Sequence, residues 1–168
     1  RIVHASGSTV EQIAADVKAS RTDVAIIDYL QLIEPSDPRA DEYTTITHST
    51  KTLQQLARSG RVVLALSQLN KEGNLRGSGQ ILQDADAVLR IGEPPQDKLK
   101  TPEQFKAYAA DQLRVIKIAK NRDGSRRTLP FWFEGRYQRF VEQWDGFDEA
   151  QVAQMEDDPY QQTKIETA

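Results

Sequence analysis

The chain has 168 residues, 38% of them hydrophobic and 28% charged, and a formal net charge of -3. This is about one domain's length, with enough apolar content for a core. No apolar run nears the roughly 20 residues of a bilayer crossing, and residues 1–9 carry no signal-peptide pattern. With no cysteine and two distant histidines, a disulfide framework, a thiolate zinc site and a histidine metal centre are all poorly served. A soluble, cytoplasmic protein with no membrane partner is the expectation. Because the chain opens at Arg1 rather than methionine, it is expected to be a portion of something longer.

In chain order, Ser8, Thr9, Val10 and Glu11 read as a capping box, and Val10, Ile13, Ala14 and Val17 recur at helical spacing, predicting a helix over 8–19. Val24 to Ile27 is a short β-branched run without polar alternation, the pattern of a strand covered on both faces. Ile46, Leu53, Leu56 and Ala57 predict a second helix that stops near Ser59 and Gly60. A second doubly covered strand follows in "RVVLALSQLN". A short helical stretch over 80–86 leads to a third apolar run, "AVLRI". Strands alternating with helices imply an α/β fold with a mostly parallel sheet and helices on both faces.

Past Ile91 the pattern changes. Thr101, Pro102 and Gln104 open another helix carrying Phe105, Tyr108 and Ala109. "LRVIKIAK", "RRTLPFWF" and "RYQRFV" then alternate around Asp-Gly and Glu-Gly turns, predicting a C-terminal antiparallel hairpin and a further strand. Trp132, Tyr137 and Phe140 are read as core and strand packing. Residues 145–168 carry seven acids against Lys164 alone, so a solvated, flexible acidic tail after a body of residues 1–144 is expected, with a docking segment as the alternative.

The chemistry-bearing residues stand at strand ends. In open α/β sheets ligands sit beyond the carboxyl ends of the strands. Asp28, directly after "VAII", either holds Mg²⁺ through water beside a nucleotide's phosphates or simply opens a turn. Ser67, Gln68 and Asn70 fall at the same edge of the next strand, where a glutamine can hydrogen-bond a terminal phosphate or the attacking water. Together the two edges resemble a nucleotide-hydrolysing core of the RecA type.

The strings "IIDYLQLI", "LALSQLNK", "RGSGQILQDADAVLRI", "IAKNRDG" and "FWFEGRYQRF" resemble, in that order, the sequence blocks of replicative hexameric DNA helicases of the DnaB family, over about residues 1–141. The resemblance implies a RecA-like nucleotide triphosphatase core, ATP and Mg²⁺ as cofactors, single-stranded DNA as ligand, a homohexameric ring, and a primase and a helicase loader as partners. It implies that Asp28 is the Walker B acid and Gln68 the glutamine coupling phosphate state to DNA. Arg76, Gly77, Ser78 and Gly79 match the DNA-gripping loop, where small residues let backbone N–H groups approach phosphates. The family often has an acid where Gly77 stands, so side-chain contact is lost there. Lys120 and Arg122 match the pair that reaches a neighbouring subunit's nucleotide, an arginine finger supplied in trans. Gln83, Asp84 and Asp86 match positions assigned to holding the loop and helix.

No GxxxxGK[ST] occurs in the 168 residues, so the phosphate-cradling loop and its lysine are missing, as is the family's upstream catalytic glutamate. The expectation is the C-terminal part of a motor domain, unable to hydrolyse ATP alone. The alternative is a non-catalytic module of the same family kept for docking or assembly.

Overall fold

A computed structural model describes residues 1–69, 79–142 and 150–152. Backbone contacts divide the chain into two compact units, Arg1–Ala85 and Asp86–Ala168.

The first unit begins with α1 (Val10–Ala19). Its N-cap is Thr9, whose N–H donates to the Gln12 side chain at 2.9 Å. The capping box is therefore one residue later than the sequence suggested, because Glu11 is engaged elsewhere. Its carboxylate accepts from the Ser36 hydroxyl at 2.6 Å and meets His48 Nε2 on the next helix. Strand β1 (Val24–Ile27) pairs in parallel with β2 (Val62–Ala65), and α2 (Glu42–Arg58) is the crossover between them. Parallel neighbours require such a crossover. Asp41 caps α2 by accepting from the Thr44 N–H at 2.7 Å. Gly60, at φ +91, takes the left-handed conformation that turns the chain from α2 into β2.

The core of this unit gathers Val10, Ala14, Leu30, Ile33, Ile46, Leu53, Leu56 and Ile81, with Ile27 and Val63 packed against it from the sheet. The helical spacing of Ile46, Leu53 and Leu56 therefore does what it predicted. The strands differ from the reading in one respect. Among the described residues one sheet face is covered, while the paired residues Val24 with Val62 and Ile26 with Leu64 stay half or more exposed on the other. The unbroken apolar runs are suited to cover on both faces, and the described residues supply only one.

In the second unit, β3 (Ala87–Gly92), β4 (Leu113–Asn121), β5 (Thr128–Glu134) and β6 (Arg139–Glu142) form an antiparallel sheet in chain order. The expected hairpin is β4–β5. β3, read from sequence as a third strand of the alternating pattern, hydrogen-bonds to β4. The hairpin turn brings Gly124 close enough to Asn121 that an added Cβ would lie 2.5 Å from its Nδ2, so any larger residue there would have to swing the Asn121 side chain aside. Between β3 and β4 runs a helix (Pro102–Ala109) capped by Thr101 and Gln104 as predicted; it is numbered α4, after the short α3 (Gln80–Asp84) that closes the first unit.

Leu99, Ala107, Leu113 and Val115 make the second core, with Trp132 and Val152 against it. Tyr137 is not core. It lies in the turn before β6, 66% exposed, because that turn takes the first three residues of the run read as strand. Phe140 packs edge-on against Phe131 and tilted against Phe133. Of the expected tail, residues 150–152 form a helical turn in which the buried Gln151 donates to the Lys98 carbonyl at 3.1 Å. Among the described residues no helix is long and apolar enough to cross a membrane.

The Glu11 contacts give a pH signature. The Ser36 hydroxyl foremost, then His48, hold its carboxyl down from the ordinary 4.5 to about 2. A depressed acid contributes stability that is present above its unfolded pKa and lost as pH falls through the folded one. Urea unfolding between pH 5 and about 2 should therefore show a steeper loss of stability in the parent chain than in Glu11→Gln, and equal slopes in the two would overturn this assignment.

Candidate nucleotide and nucleic-acid site

The in-register pairing of Ile27 with Ala65 makes the carboxyl ends of β1 and β2 adjacent. Asp28 leaves the first and Ser67 and Gln68 the second, and both Asp28 and Gln68 are exposed. The pairing is extended past the strands by the Leu66 N–H to the Ile27 carbonyl and the Leu30 N–H to the Leu66 carbonyl, each 2.9 Å. The Asp28–Tyr29 peptide is cis.

A side chain absent from the sequence-based candidates braces this edge. Gln31, in the 3₁₀ turn Leu30–Leu32, donates from Nε2 to the Ser67 hydroxyl at 2.9 Å and accepts the Gln68 N–H on Oε1 at 3.3 Å. One amide thus ties the loop after Asp28 to the backbone that presents Gln68. The available signal was its polarity between Leu30 and Leu32, three residues past Asp28.

Among the described residues no cluster of three or more His, Cys, Asp or Glu could hold a metal. Asp28 can still fit Mg²⁺, which keeps several waters and is commonly bound by one or two carboxylates plus substrate phosphates rather than by an all-protein cage.

Of the loop read as DNA-binding, Arg76, Gly77 and Ser78 lie outside the described residues. Gly79 is described, exposed, as the residue preceding α3. That five-residue helix is too short to stand on its own hydrogen bonds and is anchored through Asp84. Its Oδ2 accepts from the Thr50 hydroxyl and its Oδ1 from Gln80 Nε2, both at 2.8 Å, and its carbonyl accepts from Gln54 Nε2 at 2.7 Å. Thr50 and Gln54 lie on α2, so the expected holding role of Asp84 has concrete partners.

In the second unit Lys120 lies near the end of β4, opposite Val88. The register skips Ala119, since Leu89 pairs with Ile118 and Val88 with Lys120. Such a bulge bends a strand and re-aims the side chains after it, here just before Lys120 and Arg122. Arg122 follows the strand, exposed, with Nη1 2.5 Å from Asp86 Oδ1 and its N–H on the Asp86 carbonyl at 2.9 Å. Asp28 with Gln68 and Lys120 with Arg122 thus form two groups, one in each unit.

The fold is shared with solved ATPase and helicase domains. One solved ATPase domain superposes with a TM-score of 0.67 at 28% identity, over 81% of this chain and 52% of that one. A DnaB-like replicative helicase, solved in a study of its interactions with primase, superposes with a TM-score of 0.66 at 27% identity, over 80% of this chain and 35% of that one. The protein therefore has a RecA-like ATPase fold.

Residues 1–142 match the family described as the DnaB-like helicase C terminal domain, and the chain belongs to that family. It is similar to the replicative DNA helicase DnaB of Leifsonia xyli subsp. xyli, 32% identical over 131 residues, covering 71% of this chain and 27% of that protein. The replicative DNA helicase DnaB of Geobacillus stearothermophilus is 33% identical over 142 residues, covering 76% of this chain and 29% of that protein. The chain spans under a third of the length of these two relatives.

The brace makes a prediction independent of any activity. Gln31→Leu removes the acceptor for the Gln68 N–H. A net hydrogen bond is worth about 1 kcal/mol, so amide exchange at Gln68 should quicken about fivefold. Exchange measured residue by residue checks this, and an unchanged Gln68 rate would mean the contact is not formed in solution.

Proposed function

We propose that this chain is the C-terminal part of the motor of a replicative DNA helicase that hydrolyses ATP with Mg²⁺ to move along single-stranded DNA as a hexameric ring. Residues 1–144 are read as motor and 145–168 as an acidic tail. The observation that carries the reading is the emergence of Asp28 and Gln68 from adjacent parallel strands, braced by Gln31.

Asp28 is an acceptor-only carboxylate suited to hold Mg²⁺ through water, and the ion, when bound, would neutralise charge on the transferred phosphoryl group. Gln68 carries an amide that can donate to a terminal phosphate oxygen or orient the attacking water. Its backbone lies one hydrogen bond from the loop after Asp28, so a change felt at one edge reaches the other. Lys120 and Arg122 are assigned to the nucleotide of a neighbouring subunit, where positive charge offsets that developing in the transition state. Arg76, Gly77, Ser78 and Gly79 are assigned to the DNA backbone. The described anchoring of α3 by Thr50 and Gln54 supports that assignment, because it gives the loop's far end a fixed footing.

The longer polypeptide is proposed to act in the cytoplasm with a primase and a helicase loader. A docking or assembly module without catalysis is the second reading, and a GxxxxGK[ST] loop elsewhere in the polypeptide decides against it. Joined to a phosphate-binding loop, the polypeptide bearing this chain should hydrolyse ATP, and Asp28→Asn should reduce turnover to background while leaving the unfolding midpoint in place. Near-parental rates in that variant would refute the site.

DNA affinity should depend on Arg76 without depending on base sequence, since glycine backbones and one arginine read phosphates. Losing one phosphate contact lowers the slope of log affinity against log salt by about 0.7 on a single strand. Fluorescence titration of homopolymer strands against the parent ring and Arg76→Ala measures both quantities. A strong base preference or an unchanged salt slope would count against the assignment.

A further inference from the structure

Arg122 is held twice by one residue. Its backbone N–H reaches the Asp86 carbonyl at 2.9 Å and its guanidinium reaches the Asp86 carboxylate at 2.5 Å. Asp86 directly precedes β3, and Arg122 directly follows β4, one step beyond the last register pair, Ala87 with Asn121. The backbone bond continues the ladder by one rung. The carboxylate then lies where it fixes the direction of a long, rotamer-rich side chain that the ladder alone leaves free.

Both side chains are substantially exposed, 47% for Arg122 and 62% for Asp86. Exposed pairs of this kind bias a conformation by at most about fivefold and exchange readily. That is weak for a stabilising bridge but well suited to a guide, since a phosphate can take over the guanidinium at little cost. The bulge at Ala119 re-aims the strand end that carries Arg122, and the backbone bond to Asp86 fixes that end while leaving the side chain's own torsions to the carboxylate.

We propose that Asp86 is a positioning residue for Arg122, pre-orienting the guanidinium at the end of β4 so that it meets a neighbouring subunit's nucleotide in one geometry. The proposal rests on the assignment of Arg122 given above, and concerns how that side chain is aimed. Asp86 does not touch the nucleotide. Its effect is on the fraction of time the arginine points correctly, which enters the rate of the chemical step and leaves nucleotide affinity nearly alone.

The test is a double-mutant cycle on the intact ring, with steady-state ATP hydrolysis and thermal unfolding measured on each variant. Asp86→Ala should lower kcat about three- to fivefold with KM within twofold. Asp86→Glu should recover at least half of that loss. In an Arg122→Ala background, Asp86→Ala should cost nothing more, since no side chain remains to be aimed. An equal loss in both backgrounds, tracking a lowered unfolding midpoint, would make Asp86 a structural brace and overturn the proposal. A rise in kcat in Asp86→Ala would overturn it too, showing that the carboxylate sequesters the arginine. A normal kcat in Asp86→Ala beside a crippled Arg122→Ala would remove the positioning role and leave the arginine's own. A normal kcat in Arg122→Ala would remove both.

Discussion

The parallel pairing of Val24–Ile27 with Val62–Ala65 is the constraint on which the first unit depends. Four residues on each side, in register, decide that Asp28 and Gln68 leave the sheet as neighbours. A shift by one residue would turn every side chain of one strand to the other face, and would offset Asp28 and Gln68 along the edge. The register is held from several directions. Backbone bonds from Val62 to Asp23 and from Leu30 to Leu66 extend the ladder at either end. Gln31 adds a side-chain tie, and the core beneath includes Ile27 and Val63 from the same two strands.

Much of this was legible in the sequence because it is local. Helical spacing at Val10, Ala14, Ile46, Leu53 and Leu56 reports burial on one face, and those residues form the core. The Thr101 and Gln104 capping box and the β4–β5 turn at Asp123 and Gly124 are short-range signals of the same kind. The strand ends carrying Asp28 and Gln68 followed from where two apolar runs stop.

What escaped the sequence depends on residues far apart in it. Two candidate capping boxes overlap at the start of α1, and only the engagement of Glu11 with Ser36 and His48 selects the later one. Gln31 meets Ser67 across 36 positions, and Arg122 meets Asp86 across the same separation. No window of local pattern contains both partners of either contact. The exposure of Val24, Ile26, Val62 and Leu64 was likewise hidden, because a run of apolar residues states a need for cover without saying what meets it. The five blocks that resemble the helicase family did more than periodicity could. They gave the family and the candidate roles of residues whose local sequence is ambiguous.

The attachment of α3 to α2 has a mechanical consequence. A pull on Gly79 along the chain is met by the packing of Ile81 in the core and by Asp84, whose carboxylate and carbonyl are held by Thr50 and Gln54 at the same time. Bonds loaded side by side share a force and must yield together, whereas bonds loaded in series open one after another like a zipper. Tension arriving at this point is therefore delivered to the 17 residues of α2 as a unit. That helix is the crossover joining β1 to β2, the two strands beyond whose ends Asp28 and Gln68 stand.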